Sequence, residues 1–161
     1  MKKVHFIIGF LLLSFISNAQ EIARWKITDV VKYYSKESDS VYVINFWATF
    51  CKPCVAEIPY RQSITKKYAD KKVNLVLVSL DLATYYPKLI SKFAKENNFT
   101  ADIAWLNETD ADYFCTMIDK KWSGSIPATL FVNAQSGHKS FFEEPLSEPR
   151  FEEELVKAIG K

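Results

Sequence analysis

The 161-residue sequence predicts an α/β domain: a central mixed β-sheet flanked by helices. Three observations lead there. Segments 41–47 and 73–80 are almost wholly apolar, as strands covered on both faces of a parallel sheet must be. Helical periodicity separates such runs, so strands and helices alternate. Near the C-terminus, Gln135-Ser136-Gly137 joins apolar segment 128–133 to segment 139–143 and reads as a hairpin, which adds an antiparallel edge.

The elements follow in order. The N-terminus has the three parts of a secretory signal: Lys2-Lys3, an apolar run from Phe6 to Ile16, and the small residues Ser17-Asn18-Ala19. The apolar run is well short of the ~20 residues that span a bilayer. A leader over 1–19, cleaved after Ala19, is therefore expected, with an uncleaved membrane anchor as the alternative, and one domain over 20–161 exported to the periplasm or cell envelope. Segment 21–26 shows little pattern. Thr28 is placed to cap a short helix with Ile27, Val30, Val31 and Tyr34 on one face. After the polar loop 35–40 and the strand 41–47, a helix opens at Cys51 and Cys54 and runs to about Tyr68. Pro59 inside it removes a helical hydrogen bond and should bend it.

Beyond strand 73–80, Tyr86, Leu89, Ile90, Phe93 and Ala94 recur with the spacing of an amphipathic helix. Segment 102–106 is a short strand. Segment 110–122 reads as a helix with Phe114, Met117, Ile118 and Trp122 toward the core. Ser123-Gly124-Ser125 breaks it ahead of Ile126-Pro127 and strand 128–133. The last helix opens near Ser147, buries Phe151, Leu155 and Ile159, and stops at Gly160.

Composition removes several functions. Of 21 basic and 19 acidic residues, the leader takes two lysines and no acid, so the remainder is neutral and offers no basic face for nucleic acid. The three cysteines, Cys51, Cys54 and Cys115, are too few for a disulfide-stapled scaffold. A zinc site would need two ligands besides Cys51 and Cys54, and Cys115 and His138 lie far apart in the chain, so no metal is expected. His138 is read as a solvent-exposed bystander.

The chemistry lies at Cys51-Lys52-Pro53-Cys54. Unpaired N–H groups at a helix start favour an anion, and a thiolate is one, so Cys51 is expected to ionise readily and act as nucleophile. Cys54 is one turn away, within reach to close a disulfide. The chemistry expected is reversible dithiol–disulfide exchange. A purely structural bridge is the alternative, but so short a loop constrains little of the unfolded chain. Lys52 and Pro53 are read as redox-tuning residues: lysine favours a nearby thiolate and proline stiffens the turn. Cys115, among Phe114, Met117 and Ile118, reads as a buried inert thiol, the alternative being a second redox centre that pairs with Cys51 or Cys54.

Phe46-Trp47-Ala48-Thr49-Phe50-Cys51-Lys52-Pro53-Cys54, followed by Glu57 and Pro59 and by the distant Ile126-Pro127-Ala128-Thr129, resembles the thioredoxin superfamily, in its TlpA/ResA-like branch of exported thiol–disulfide oxidoreductases. The resemblance covers about 27–160. It implies a thioredoxin-like fold with the branch's central helix–strand insertion over about 82–107, and a cis bond before Pro127 facing the cysteines. Two features depart from the branch: no counterpart of its N-terminal hairpin is visible between Glu21 and Ser40, and Phe50 stands where a second tryptophan is usual. Asn45 occupies the position of thioredoxin's buried acid. Asn cannot take a proton, so the role of accepting the Cys54 proton passes in this reading to Glu57, with a structural helix glutamate as the alternative. Ile126 and Pro127 are expected to bind an extended client segment. Trp47 and Phe50 border the active turn and are candidates for an apolar platform, with packing favoured for Trp47 and partner contact for Phe50.

The resemblance implies a monomeric reductant of client-protein disulfides, working without organic cofactor and recharged by an upstream, membrane-bound dithiol donor. A peroxidase of the peroxiredoxin-like type and a non-catalytic peptide-binding module are the alternatives.

Overall fold

Every residue of Val41–Trp47 is buried in the computed structural model, which describes residues 22–36 and 38–160. This strand, β2, is central because it is apolar on both faces. In chain order the elements are β1 (Ala23–Trp25), α1 (Ile27–Tyr34), β2, α2 (Lys52–Lys67), β3 (Val73–Ser79), α3 (Lys88–Glu96), β4 (Asp102–Leu106), α4 (Ala111–Ile118), β5 (Ala128–Asn133), β6 (His138–Phe142) and α5 (Glu148–Ile159). The sheet order is β1-β4-β3-β2-β5-β6. The first four run parallel, β5 is antiparallel to β2, and β6 is antiparallel to β5. The leader read at 1–19 and the chain start at Gln20 lie outside the described residues.

Two cores result from the alternation of side chains along each strand. Val41, Val43 and Trp47 face one layer with Ile58 and Ile64 of α2, Ile90 and Ala94 of α3, and Phe151, Leu155 and Ala158 of α5. Tyr42, Ile44 and Phe46 face the other, with Ile27 and Val30 of α1 and Phe114 and Ile118 of α4. Helix α3 and strand β4 form the expected insertion, and β4 extends the parallel sheet beside β3.

Several boundaries differ from those the sequence suggests. β1 escapes the pattern because it has three residues with Arg24 in the middle; its partner is β4, 81 positions away in the register Ala23↔Ala104. Thr28 does not cap α1. The cap is Lys26, two residues earlier, where Glu108 Oε1 accepts from the Ile27 N–H at 3.0 Å and Asp29 Oδ2 from the Lys26 N–H at 2.8 Å. α2 continues through Pro59, which sits on its exposed side.

Tyr86 lies outside α3, because the residue before a proline is pushed out of the helical region; it stacks instead on Trp105 at 4.6 Å. Leu89, expected inside, is exposed, so the buried face is Ile90 and Ala94. α4 ends at Ile118, since Asp119 is extended with φ −149° and ψ 135°. Trp122 still reaches the core from the following loop, 4.5 Å from the Phe46 ring, whereas Met117 points outward. Ile159 is only partly buried, and α5 stops at Gly160, whose φ of +85° favours glycine.

Candidate active site

Cys51 is the N-cap of α2. Its sulfur accepts a hydrogen bond from the Cys54 N–H at 3.3 Å, and its own N–H donates to the Ala48 carbonyl at 3.0 Å. Pro53, in the first helical turn, suits that position because its missing N–H would find no helical partner there. Cys51 and Cys54 are joined as a disulfide with Cα atoms 5.3 Å apart. Cys54 is fully buried, while Cys51 keeps 8% of its surface, so Cys51 is the sulfur an incoming molecule meets first. Lys52 and Pro53 are exposed, and Phe50 is 67% exposed beside them.

β5 brings the second part of the site. The Ile126–Pro127 peptide is cis, and the Ile126 carbonyl oxygen lies 3.8 Å from Cys51 Sγ. Trp47 does not belong to this surface. It is fully buried against Phe93 and Phe99, because its position on β2 points it into the layer beneath α2 and α3.

The turn between β2 and α2 is pinned from outside by Asp81, two residues past the end of β3. Its carboxylate accepts from the Thr49 N–H at 3.1 Å, the Thr49 hydroxyl at 2.6 Å and the Ser79 hydroxyl at 2.7 Å. Trp105 Nε1 donates to the Asp81 backbone carbonyl at 2.7 Å. Asp81 is 4% exposed, and nothing in its local sequence distinguishes it from an ordinary strand-ending acid.

Beneath the disulfide runs a buried polar chain. Glu57, on the same stripe of α2 as Cys54, is 5% exposed. Its Oε2 pairs with Arg61 Nη2 at 2.7 Å and its Oε1 accepts from the Leu146 N–H at 2.6 Å. Arg61 Nη1 donates to Thr129 Oγ1 at 2.6 Å, and Asn45 Nδ2 reaches that oxygen at 3.4 Å and the Ala128 carbonyl at 3.2 Å. The Tyr60 hydroxyl donates to the Leu146 carbonyl. Burial raises the Glu57 carboxyl above the usual carboxylate range, with the Arg61 charge the main opposing influence, then the Leu146 N–H. Burial, followed by the Glu57 charge, pushes the Tyr60 hydroxyl up to about 12. Burial pushes the Arg61 guanidinium down, opposed first by Glu57.

Sequence reasoning passed over Arg61. The available signal was its place in the stripe Cys54, Glu57, Ile58, Arg61, Ile64, Thr65, where every other member is buried too. Cys115 is free and buried, but in the layer on the opposite face of the sheet from Cys51 and Cys54. Pairing with either would require passage through the sheet, which rules out the second redox centre. Burial, then Glu143 and Asp112, pushes its thiol up to about 11. His138 starts β6 and lies 3.2 Å from Ser140 Oγ, half-buried rather than free in solvent. Among the described residues no group of three or more His, Cys, Asp or Glu is placed to hold a metal ion, and no helix is long and apolar enough to cross a membrane.

A model of the AhpC/TSA family matches residues 14–137. The thiol-disulfide oxidoreductase ResA of Oceanobacillus iheyensis is 54% identical over 39 residues, 24% of this chain and 20% of that protein. The thioredoxin-like protein YneN of Bacillus subtilis is 39% identical over 61 residues, 38% of this chain and 35% of that one. The matches thus span a fifth to about a third of these relatives' lengths. Among solved structures, a thioredoxin-family thiol:disulfide interchange protein from Chlorobium tepidum superposes with a TM-score of 0.60 at 19% identity, over 81% of this chain and 84% of that one. StoA from Bacillus subtilis gives 0.54 at 21%, over 74% and 84%. At such identities the likeness establishes the thioredoxin-like fold.

Proposed function

The chain belongs to the AhpC/TSA family, and from that premise we propose that it is an exported thiol–disulfide oxidoreductase whose Cys51–Cys54 pair reduces disulfides of client proteins in the cell envelope. The observation that carries this reading is Cys51 itself: a sulfur at the N-cap of α2, bonded one turn along to Cys54, which is fully buried while Cys51 keeps 8% of its surface. Export is supported by the leader pattern of 1–19.

In the reduced protein the Cys51 thiolate attacks one sulfur of a client disulfide. The client S–S bond breaks, the departing sulfur takes a proton, and a mixed disulfide forms. Cys54 then gives its proton to the Glu57 carboxylate and attacks the Cys51 sulfur; the second client thiol leaves and the Cys51–Cys54 disulfide closes. An upstream dithiol, membrane-bound in this reading, returns two electrons and two protons. Ile126 and Pro127 hold the client's extended backbone, Phe50 supplies an apolar contact, and Lys52 and Pro53 tune the sulfur between them. No metal or organic cofactor enters the sequence of steps.

Reduction of insulin disulfides by the dithiol-charged protein tests the reading. Cys51→Ser should abolish it, and Cys54→Ser should accumulate mixed disulfides with clients. Activity unaffected by Cys51→Ser would instead identify a peptide-binding module. The family match also admits a peroxidase; saturable peroxide consumption driven by a dithiol, without insulin reduction, would favour it. The adjacent pair speaks for exchange, because a peroxidatic cysteine is usually resolved by a distant one.

A further inference from the structure

Building on the exchange reading above, we propose that Arg61 is a positioning residue for the reaction: it keeps the Glu57 carboxylate charged one turn from Cys54 and ties the redox helix to the strand that follows Pro127.

Arg61 has no exposed surface. One arm of its guanidinium holds Glu57 Oε2 at 2.7 Å and the other Thr129 Oγ1 at 2.6 Å, two residues beyond Pro127. Its guanidinium carbon lies over the Phe151 ring, 5.1 Å from the centroid, and its Nε–H has no hydrogen-bond partner among the described residues. Stability does not account for such a residue. A buried ion pair commonly contributes no more than apolar side chains of the same volume, and an unpartnered buried N–H makes the balance worse. The geometry does account for it, because the rigid two-armed group spans the two halves of the site, α2 with its cysteines and β5 with its proline.

The chemistry needs that arrangement. When Cys54 attacks, its S–H proton moves to Glu57, its sulfur bonds to Cys51, and the client sulfur leaves with the electron pair of the broken bond. The acceptor must be ionised beforehand, and burial works against that. The groups facing Glu57 are few. Its own helix presents Arg61 and Tyr60, and the loop before α5 presents the Leu146 N–H. β5 contributes the uncharged Thr129, and α5 contributes Phe151, packed on Arg61, while the α5 carboxylate Glu154 is held by Arg150 and Lys157. Arg61 is therefore the one full positive charge acting on Glu57 at contact distance among the described residues. Burial keeps the carboxyl a stronger base than an exposed glutamate, and Arg61 keeps it charged where the reaction runs.

The test is a pH titration of the Glu57 carboxylate by carbon NMR in the reduced protein, alongside the pH profile of mixed-disulfide resolution. Arg61→Met should raise the Glu57 midpoint by at least about one pH unit, with an equal shift of the acid limb of the profile. Arg61→Lys should raise it by less than half as much. In a Glu57→Gln background Arg61→Met should leave the profile where it is. An unmoved Glu57 midpoint in Arg61→Met, or an equal profile shift with and without Glu57, overturns the proposal. If Arg61→Met does not fold, Arg61→Lys decides alone: a raised midpoint supports the proposal, an unmoved one overturns it. The titration needs no client, so a wild-type protein inert toward insulin would sink the exchange reading by a separate result.

Discussion

Replacing Asp81 with alanine removes the acceptor on which the redox turn hangs. Three donors lose their partner: the Thr49 N–H, the Thr49 hydroxyl and the Ser79 hydroxyl. Hydrogen bonds to a charged group contribute about 1.5–3 kcal/mol each, and a buried donor left without a partner costs about 1–3 kcal/mol. Thr49 is half-buried and can turn to water, whereas Ser79 is fully buried and cannot. Because the bonds share one carboxylate, their losses do not add. We expect a net destabilisation of ~3 kcal/mol, which for a domain of this size lowers the melting temperature by roughly 10 °C. Asp81→Asn, whose amide oxygen still accepts, should lose about half of that. Urea unfolding of the oxidised protein followed by circular dichroism, at unchanged slope, measures both. The backbone acceptor for Trp105 survives in either variant, so any change reports on the side chain. A loss below about 1 kcal/mol in Asp81→Ala would refute the claim that this carboxylate holds the turn.

Other tests address the chemistry. Glu57→Gln should slow exchange at least about tenfold and erase the acid limb of its pH profile, read by stopped-flow thiol release. The folded carboxyl of Glu57 is raised by burial, so its share of stability is full below the ordinary carboxylate range and is lost as pH rises through the raised value. Glu57→Gln should therefore flatten the dependence of the urea midpoint across that window. Phe50→Ser should leave stability within about 0.5 kcal/mol while raising KM for insulin, since this exposed ring has little packing to lose. Cys115, with its thiol pushed up to about 11, should resist iodoacetamide at neutral pH in the native protein and react once urea unfolds it, as mass spectrometry would reveal.

The parts of this molecule that local pattern can specify are readable in the sequence. β2 and β3 appear as almost wholly apolar runs because both faces are covered, and the Cys51 turn is marked by its own residue types. What escaped depends on partners remote in the chain. β1 exists because β4 offers it an edge, and three residues around Arg24 carry no period to detect. The start of α1 is satisfied by Glu108, from beyond β4. Trp122 fits the helical stripe of Phe114 and Ile118, yet reaches the same core from a loop. In the site, nothing in the local sequence beyond its place in the α2 stripe marks Arg61, and its burial follows from Glu57, Thr129 and Phe151 converging from three elements. Asp81 is similar: its function comes from Thr49, 32 positions earlier. Pairs of this kind are fixed by the fold and leave no periodic trace.

The Cys51 sulfur, held at the mouth of α2, is the group on which exchange depends. The most direct test is the rate at which the reduced protein's Cys51 is alkylated by iodoacetamide at neutral pH, resolved from Cys54 and Cys115 by peptide mass spectrometry. Alkylation well above the rate of an unstructured cysteine peptide, falling to that rate when urea melts α2, is the predicted result. A native rate no faster than the peptide's would contradict it.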